Sequence, residues 1–358
     1  MTGNGTTPVR SLRRLRSVAI LTAAASIGAW DAAARSDGGL FDSPLPLEIR
    51  LEAPWRPLTR RMAAGRSANG QLVYWTPAGE ESRLQVKITI RGASRLEVCD
   101  FPQLTLEMQP EEAFNTPFAG QRVVHLTTQC RKEIRFRNYL VQEYLSYQAY
   151  RLLGEPALGV RMGLVEYLDT DRKRATESAP AFFLEDLDHA AARLGGVWLE
   201  PDAVEIQALA PETLALLGLF QFMLGNTDWS VRGASPGEPC CHNVAILRPS
   251  EGASDLLPVP YDLDGTGLVD PPYAAPVESL PIRQIRQRLY RGFCASNSYL
   301  PQAVTRIQAR RAELIALFED NPLLSSPAKK GTRKYLESYF EILDDPQKLK
   351  KRILDDCR

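Results

Sequence analysis

Three runs decide how this chain reads: Leu224-Gly225-Asn226-Thr227-Asp228-Trp229, Cys240-Cys241-His242-Asn243-Val244 and Val259-Pro260-Tyr261-Asp262-Leu263-Asp264-Gly265. Each sets an oxygen-bearing side chain at the edge of an apolar run. Residues 214–223 form an apolar stretch that reads as a buried helix, and Gly225-Asn226 stops it. Asp228 therefore falls just past a helix end, on a loop with a rigid base. Residues 244–247 and 256–261 read as two strands. Asn243 opens the first and Asp262 closes the second.

An Asp, then an Asn opening a strand, then an Asp closing the next is the order that protein-kinase-like phosphotransferases use. There a catalytic-loop Asp takes the hydroxyl proton, and an Asn and a second Asp hold magnesium. The residue types follow from the chemistry, because ATP phosphates need hard cations and hard cations need oxygen ligands. Asp262 and Asp264 are two apart, so on an extended segment both face one side. Two carboxylates about 4 Å apart repel by roughly 4 kcal/mol at an effective dielectric of about 20. A cation is the simplest way to keep both ionised. Taken singly, each motif also reads as ordinary loop chemistry: 226–228 as a capping turn, 262–265 as a hairpin turn.

Outward from these runs, the first half alternates apolar and polar residues. Residues 45–52, 72–75, 84–90, 101–108 and 122–128 predict strands of a mainly antiparallel sheet. The period changes over 136–153, where Phe136, Leu140, Val141, Tyr144, Tyr147 and Leu152 suit one long helix ended by Gly154-Glu155-Pro156. Residues 160–168 and 181–185 predict a hairpin. The second half reads as helical at 212–223, 282–290, 301–318, 334–343 and 347–356. The expectation is an α+β chain in two lobes, with a sheet-rich N-lobe at 44–186, a helix-rich C-lobe at 187–358 and a hinge near Glu185-Asp186-Leu187.

The 358 residues carry 43 Lys and Arg against 43 Asp and Glu, so no excess charge points to nucleic acid or an anionic membrane. No stretch is long and apolar enough to be a secure span. The N-terminus has the form of a secretory signal over 1–34: Arg10, Arg13, Arg14 and Arg16, then an alanine-rich apolar region, then Ala32-Ala33-Ala34. Residues 35–43 read as linker. Six cysteines agree with an exported, periplasmic or secreted protein. Their pairing is open from sequence; the favoured guess joins Cys99 to Cys130 and one of Cys240 and Cys241 to Cys294. A zinc site at Cys240-Cys241-His242 has only weak ligand spacing.

The motifs Gly225-Asn226-Thr227-Asp228-Trp229, His242-Asn243 and Tyr261-Asp262-Leu263-Asp264 resemble the signature of the CotH family of atypical exported protein kinases. Arg91-Gly92-Ala93-Ser94 is similar to that family's Arg-Gly-Asn-Ser element. Arg137-Asn138-Tyr139-Leu140 is similar to the start of its long N-lobe helix. The likeness covers roughly residues 84–270. It implies a two-lobed protein-kinase-like fold, with an antiparallel-sheet N-lobe bearing one long helix and a mainly helical C-lobe. It also implies transfer of the ATP γ-phosphoryl group to a hydroxyl of a protein substrate, with Mg or Mn. Carried over by position, Asp228 is the catalytic base, Asp262 the main metal ligand, and Asn243 and Asp264 its helpers. Glu143 pairs with a basic residue over the phosphates. Two departures stand out. An insert separates Asp228 from Asn243, and residues 101–108 carry no lysine, so Lys87, Arg91 or Arg95 must serve the phosphates.

Other features read as follows. Lys87 and Glu143 also fit solvent-facing positions, and Arg91 and Arg95 surface ion pairs. Ser94 and Ser230 lack the Gly-x-Ser-x-Gly context of a serine hydrolase. Arg283, Arg286, Arg288 and Arg291 would share a basic helix face, either solvated or docking an acidic substrate. The second reading of function is a non-catalytic, pseudokinase-type envelope protein that keeps the site for binding. A metal-dependent hydrolase using the same carboxylates is a third.

Overall fold

Along β1 (Leu47–Ala53) every second side chain is buried, and the charged residues between them face outward. The same alternation recurs through the first half of the chain because each strand there has one dry face. The computed structural model describes residues 1–2, 39–76, 79–92, 94–154, 156–175, 178–232, 240–250 and 252–358. After β1 come α1 (Trp55–Thr59), β2 (Ser67–Trp75), β3 (Glu81–Arg91), α2 (Ser94–Val98), β4 (Gln103–Met108), α3 (Pro110–Ala113), β5 (Val123–Thr128), α4 (Ile134–Leu153), β6 (Val160–Asp169), β7 (Arg174–Ala175) and β8 (Ala179–Glu185). There follow α5 (Leu187–Arg193), β9 (Val197–Leu199), α6 (Pro211–Leu224), β10 (Val244–Arg248), β11 (Leu257–Pro260), α7 (Leu300–Ala309), α8 (Arg311–Glu319), α9 (Ser326–Asp344) and α10 (Pro346–Leu349).

The sheet is not the open antiparallel layer of a kinase-like N-lobe. Strands β1 to β5 are joined in order, β5 pairs with β8, and β8 with β6. β6 then runs parallel to β1, in register from Leu47↔Gly163 to Ala53↔Asp169. Seven strands close into a mixed barrel, with β7 appended to β6. This overturns the two-lobed kinase-like expectation. The physical reason is simple: alternation says which side chains point inward, but not whether the first and last strands meet. Closure removes the two edges that an open sheet would leave unpaired.

The barrel is filled. Leu72, Ile88, Leu104, Leu106, Val124, Leu126 and Phe183 are fully buried inside it. Phe118 plugs the middle, edge-on to Tyr74 and Phe183 at centroid distances of 6.3 and 5.7 Å. Trp55, Phe101 and Tyr167 form a second aromatic cluster, with Phe101 and Tyr167 4.5 Å apart. The barrel therefore acts as a scaffold rather than a ligand chamber.

Its outer wall carries the helices. Val160, Met162, Phe182 and Leu184 point out of β6 and β8 into a second core shared with α4 and α6 to α9. Tyr144 and Tyr147 lie on Phe182 at 5.9 and 6.0 Å, and Tyr150 meets Phe220 of α6 at 4.6 Å. Nor is there a hinge at 185–187. The buried Glu185 carboxylate accepts from Gly159 N–H at 2.6 Å, Arg193 at 2.8 and 2.9 Å and His189 at 2.7 Å. Asp186 caps α5 through Asp188 N–H. From Gly39 onward the described chain is one unit.

Three local expectations also change. Residues 282–290 form no helix; the Arg288 guanidinium there donates to the carbonyls of Met223 and Tyr335. The arginines at 283, 286, 288 and 291 therefore share no helix face. The expected helix at 301–318 breaks at Arg310 into α7 and α8. Residues 3–34 of the expected signal, and residues 35–38 of the linker, lie outside the described residues; Leu40 and Phe41, farther along that linker, are buried in the barrel core.

Three disulfides are present, which fits an oxidising compartment. Cys99–Cys130 is as expected and ties α2 to the end of β5. Cys294, however, pairs with Cys357, and Cys240 with its neighbour Cys241. Arg358 N–H donates to the Gly292 carbonyl, and Cys294 N–H to that of Arg358, which brings residues 357–358 alongside 292–294. Among the described residues, no helix is long and apolar enough to cross a membrane.

Candidate functional site

The site is assembled at the end of the β10–β11 hairpin, where α6, α4 and the barrel wall meet. Its first part is the turn after α6. Gly225, at φ 65°, lets Asn226 N–H reach the Gln221 carbonyl and its own N–H the Phe222 carbonyl, a Schellman closure. The Asn226 side chain then accepts from Asp228 N–H at 2.9 Å. Asn226, Thr227 and Trp229 are buried, while the Asp228 carboxylate is 52 % exposed. A rigid turn thus presents one open carboxylate.

The second part is the entry to β10. Ser230 and His242 exchange backbone hydrogen bonds of 2.8 and 2.9 Å, and this bridge closes the loop whose tip, 233–239, lies outside the described residues. His242 Nε2 lies 2.7 Å from one Asp228 oxygen. Asn243 Nδ2 donates to the Asp228 carbonyl at 2.7 Å and to its other carboxylate oxygen at 3.3 Å. The insert noted in the sequence therefore does not keep Asp228 from Asn243. It brings His242 in as a further partner.

The third part is the exit from β11. Tyr261 N–H donates to the Asn243 carbonyl, so the strand pairing sets Asp262 beside Asn243 along the hairpin end. Asn243 and Asp262 both hold left-handed backbone, with φ 52° and 54°. Asn and Asp tolerate that region best, and residues held there concentrate at functional sites. The turn also means that 262–264 is not the extended segment expected, although the two carboxyls do interact electrostatically. Asp262 N–H donates to the Tyr147 hydroxyl of α4 at 2.9 Å.

Behind Asp262 lies a buried charge cluster. Arg95 of α2 donates to Glu143 at 2.5 Å and to Asp264 at 2.8 Å. Arg91, at the end of β3, donates to Thr127 at 3.2 Å and interacts with the charges of Asp262 and Glu143. Burial pushes the Glu143 carboxyl up to about 7 against the pull of Arg95. Enclosure by protein, then the charges of Asp264 and Glu143, push the Asp262 carboxyl up to about 7 as well. Burial would raise Asp264 too, but Arg95 holds it below its ordinary value. Two guanidiniums, Arg95 and Arg91, thus face three carboxylates, and Asp262 is the most exposed of the three.

Of the expected site residues, Asp228 and Asn243 are in contact, and Glu143 and Asp264 share Arg95. Asp262 interacts electrostatically with Asp264 and sits at the same hairpin end as Asn243. Arg91 lies beside this group. Lys87 does not: it stands on the outer wall, paired with Glu107 at 3.0 Å. It is four residues before Arg91, about 13 Å along the strand. Sequence reasoning missed His242 and Tyr147 as site residues. Tyr147 had a signal, since it is one helical turn after Glu143 and shares its face. His242 had only its place beside Asn243.

Among the described residues, no three or more His, Cys, Asp and Glu side chains are grouped to enclose a metal ion. Asp262 and Asp264, with the Asn243 amide nearby, are a sparse oxygen set. Such a set fits magnesium or manganese, which bind through one or two carboxylates and take their other ligands from phosphates and water. The charges of Asp264 and Glu143 act on Asp262, and a bound cation would offset them. No family model matches this chain, and no curated protein matches it.

Proposed function

We propose that this chain is an exported phosphotransferase that moves the γ-phosphoryl group of ATP to a hydroxyl of a protein substrate. Its motifs, rather than its fold, carry the likeness to CotH kinases. The supporting observation is the joining of two carboxylate groups by one short hairpin. Asp228, braced by His242 and Asn243, stands at one part of its end, and the solvent-reaching Asp262, backed by Asp264, at the other.

In this reading Asp228 takes the proton of the acceptor hydroxyl. The hydroxyl oxygen then bonds the γ-phosphorus as the bond to the ADP oxygen breaks. The His242 hydrogen bond orients the Asp228 carboxylate and leaves the oxygen nearer Asn243 to receive the proton. Asp262, Asp264 and Asn243 would hold magnesium or manganese, which supplies charge neutralisation for the phosphates. Arg91 is the cation placed to meet a phosphate oxygen. Arg95 is occupied by Glu143 and Asp264, and its role is to fix them. Periplasmic or secreted residence belongs to this proposal, with the disulfides as its support.

The test is phosphate incorporation from labelled ATP into a generic protein acceptor with manganese. Asp228→Asn should retain nucleotide binding and lose transfer by at least about a hundredfold, the usual scale for a general base. Unchanged transfer in that variant would defeat the assignment. Nucleotide binding without transfer in the wild type would favour the non-catalytic reading. The observation behind that reading is that Arg91 already bonds Thr127 and the Leu104 carbonyl.

A further inference from the structure

A cavity of about 300 Å³ opens at Ser230, two residues past Asp228. Its lining includes Gln207, Ser230, Arg232, Phe293 and Arg358. Ser230 is hydrogen-bonded through its backbone to His242. Arg291 stands at the same place. It donates to the Thr227 carbonyl and interacts with the Asp228 charge. The Arg358 guanidinium lies over Phe293 at 4.8 Å and Trp229 at 5.6 Å, so two aromatic rings orient it.

These three guanidiniums share an electrostatic condition. Among the described residues none forms an ion pair with an Asp or Glu side chain, although the protein has as many acidic residues as basic ones. Burial, then repulsion from Arg291 and Arg232, pulls the Arg358 guanidinium down to about 10. Like charges gathered around a small concavity destabilise one another, an effect that Asp228 offsets only at Arg291 and that a bound anion would offset further. Guanidiniums bind carboxylate and phosphate oxygens with paired, directed hydrogen bonds. The hydroxyl of Ser230 and the amide of Gln207 add neutral polar partners on the same wall.

We propose that this pocket receives an anionic side chain of the acceptor, so that the protein's substrate is an acidic peptide whose hydroxyl is thereby set at Asp228. The assignment rests on the phosphotransfer reading for the word acceptor. The anion site itself does not depend on it. The cavity has room for one carboxylate-bearing or phosphate-bearing side chain and a few waters.

The probe is a fluorescein-labelled peptide of alternating serine and glutamate, read by anisotropy at physiological salt, with a serine–lysine peptide as the counterpart. The wild type should bind the acidic peptide and not the basic one, and inorganic phosphate should compete. Arg232→Glu, at an exposed position, should weaken binding by about tenfold or more through loss of a charge-assisted contact. Arg232→Lys should restore most of it, and the melting temperature of each variant shows that it is folded. Equal binding of both peptides, or undiminished binding by Arg232→Glu and Arg358→Glu, overturns the proposal. The thermal shift of the wild type with ATP and manganese reports the parent reading separately. Acidic-peptide binding without that shift would retain the anion site and remove the phosphotransfer reading.

Discussion

Replacing Arg95 with methionine keeps the length and bulk of the side chain and removes the charge on which the buried cluster depends. Arg95 is 6 % exposed and Glu143 3 %, and the guanidinium is in direct contact with both Glu143 and Asp264. Taking away one partner leaves Glu143 and Asp264 without the guanidinium they bond, with Arg91 the remaining cation nearby, and breaking a buried pair in this way costs about 3–5 kcal/mol. For a unit of this size each kcal/mol lowers the melting temperature by about 1.5 °C, so Arg95→Met should melt about 5–7 °C lower. Urea unfolding at neutral pH without added metal is the assay. The double variant Arg95→Met/Glu143→Gln removes one orphaned charge and should recover part of the loss, which makes the two effects clearly non-additive. A single variant within about 1 kcal/mol of wild type would refute this account of the cluster, being the cost of an ordinary surface substitution rather than of a stranded charge.

Further outcomes follow from other parts of the molecule. Burial acts to raise the Glu185 carboxyl, but hydrogen bonds from His189, Arg193 and Gly159 hold it at about 2. A depressed carboxyl stabilises above its unfolded value and loses that contribution as pH falls through the folded one. The stability gap between wild type and Glu185→Gln in urea should therefore close by about 3 kcal/mol between pH 5 and about pH 2. Gly225→Ala must adopt left-handed backbone and would drive its methyl group into the Tyr335 hydroxyl. It should cost about 2–5 kcal/mol by thermal unfolding and weaken transfer by tilting the Asp228 turn. Lys87→Ala should leave nucleotide-dependent thermal stabilisation unchanged, because Lys87 is paired with Glu107 on the barrel wall. A lost shift would place it at the phosphates after all.

What could be read from the sequence was local. The alternation along 84–90 and the unbroken apolar run at 214–223 became β3 and α6, since each depends on which face a residue shows to water. The joining of Asp228 to Asn243 followed from one helix stop and one strand start. Barrel closure did not, because β1 and β6 meet through a parallel register that no local pattern encodes. The pairing of Arg95 with Glu143 and Asp264 spans 48 and 169 residues. Arg95 was visible only as one of several cations, and the structure selects it because Cys99–Cys130 fastens α2 over α4. The stretch 282–290 reads as a helix by composition, but its Arg288 is used on the carbonyls of α6 and α9, and its Arg286 pairs with Asp270.

The central claim is that Asp262 and Asp264 hold a divalent cation with nucleotide phosphates next to Asp228. Calorimetric titration of ATP into the protein, with and without manganese, tests it most directly. The account predicts binding that needs the metal, is lost in Asp262→Ala and is kept in Asp228→Asn. Metal-independent binding, or full affinity in Asp262→Ala, would contradict it.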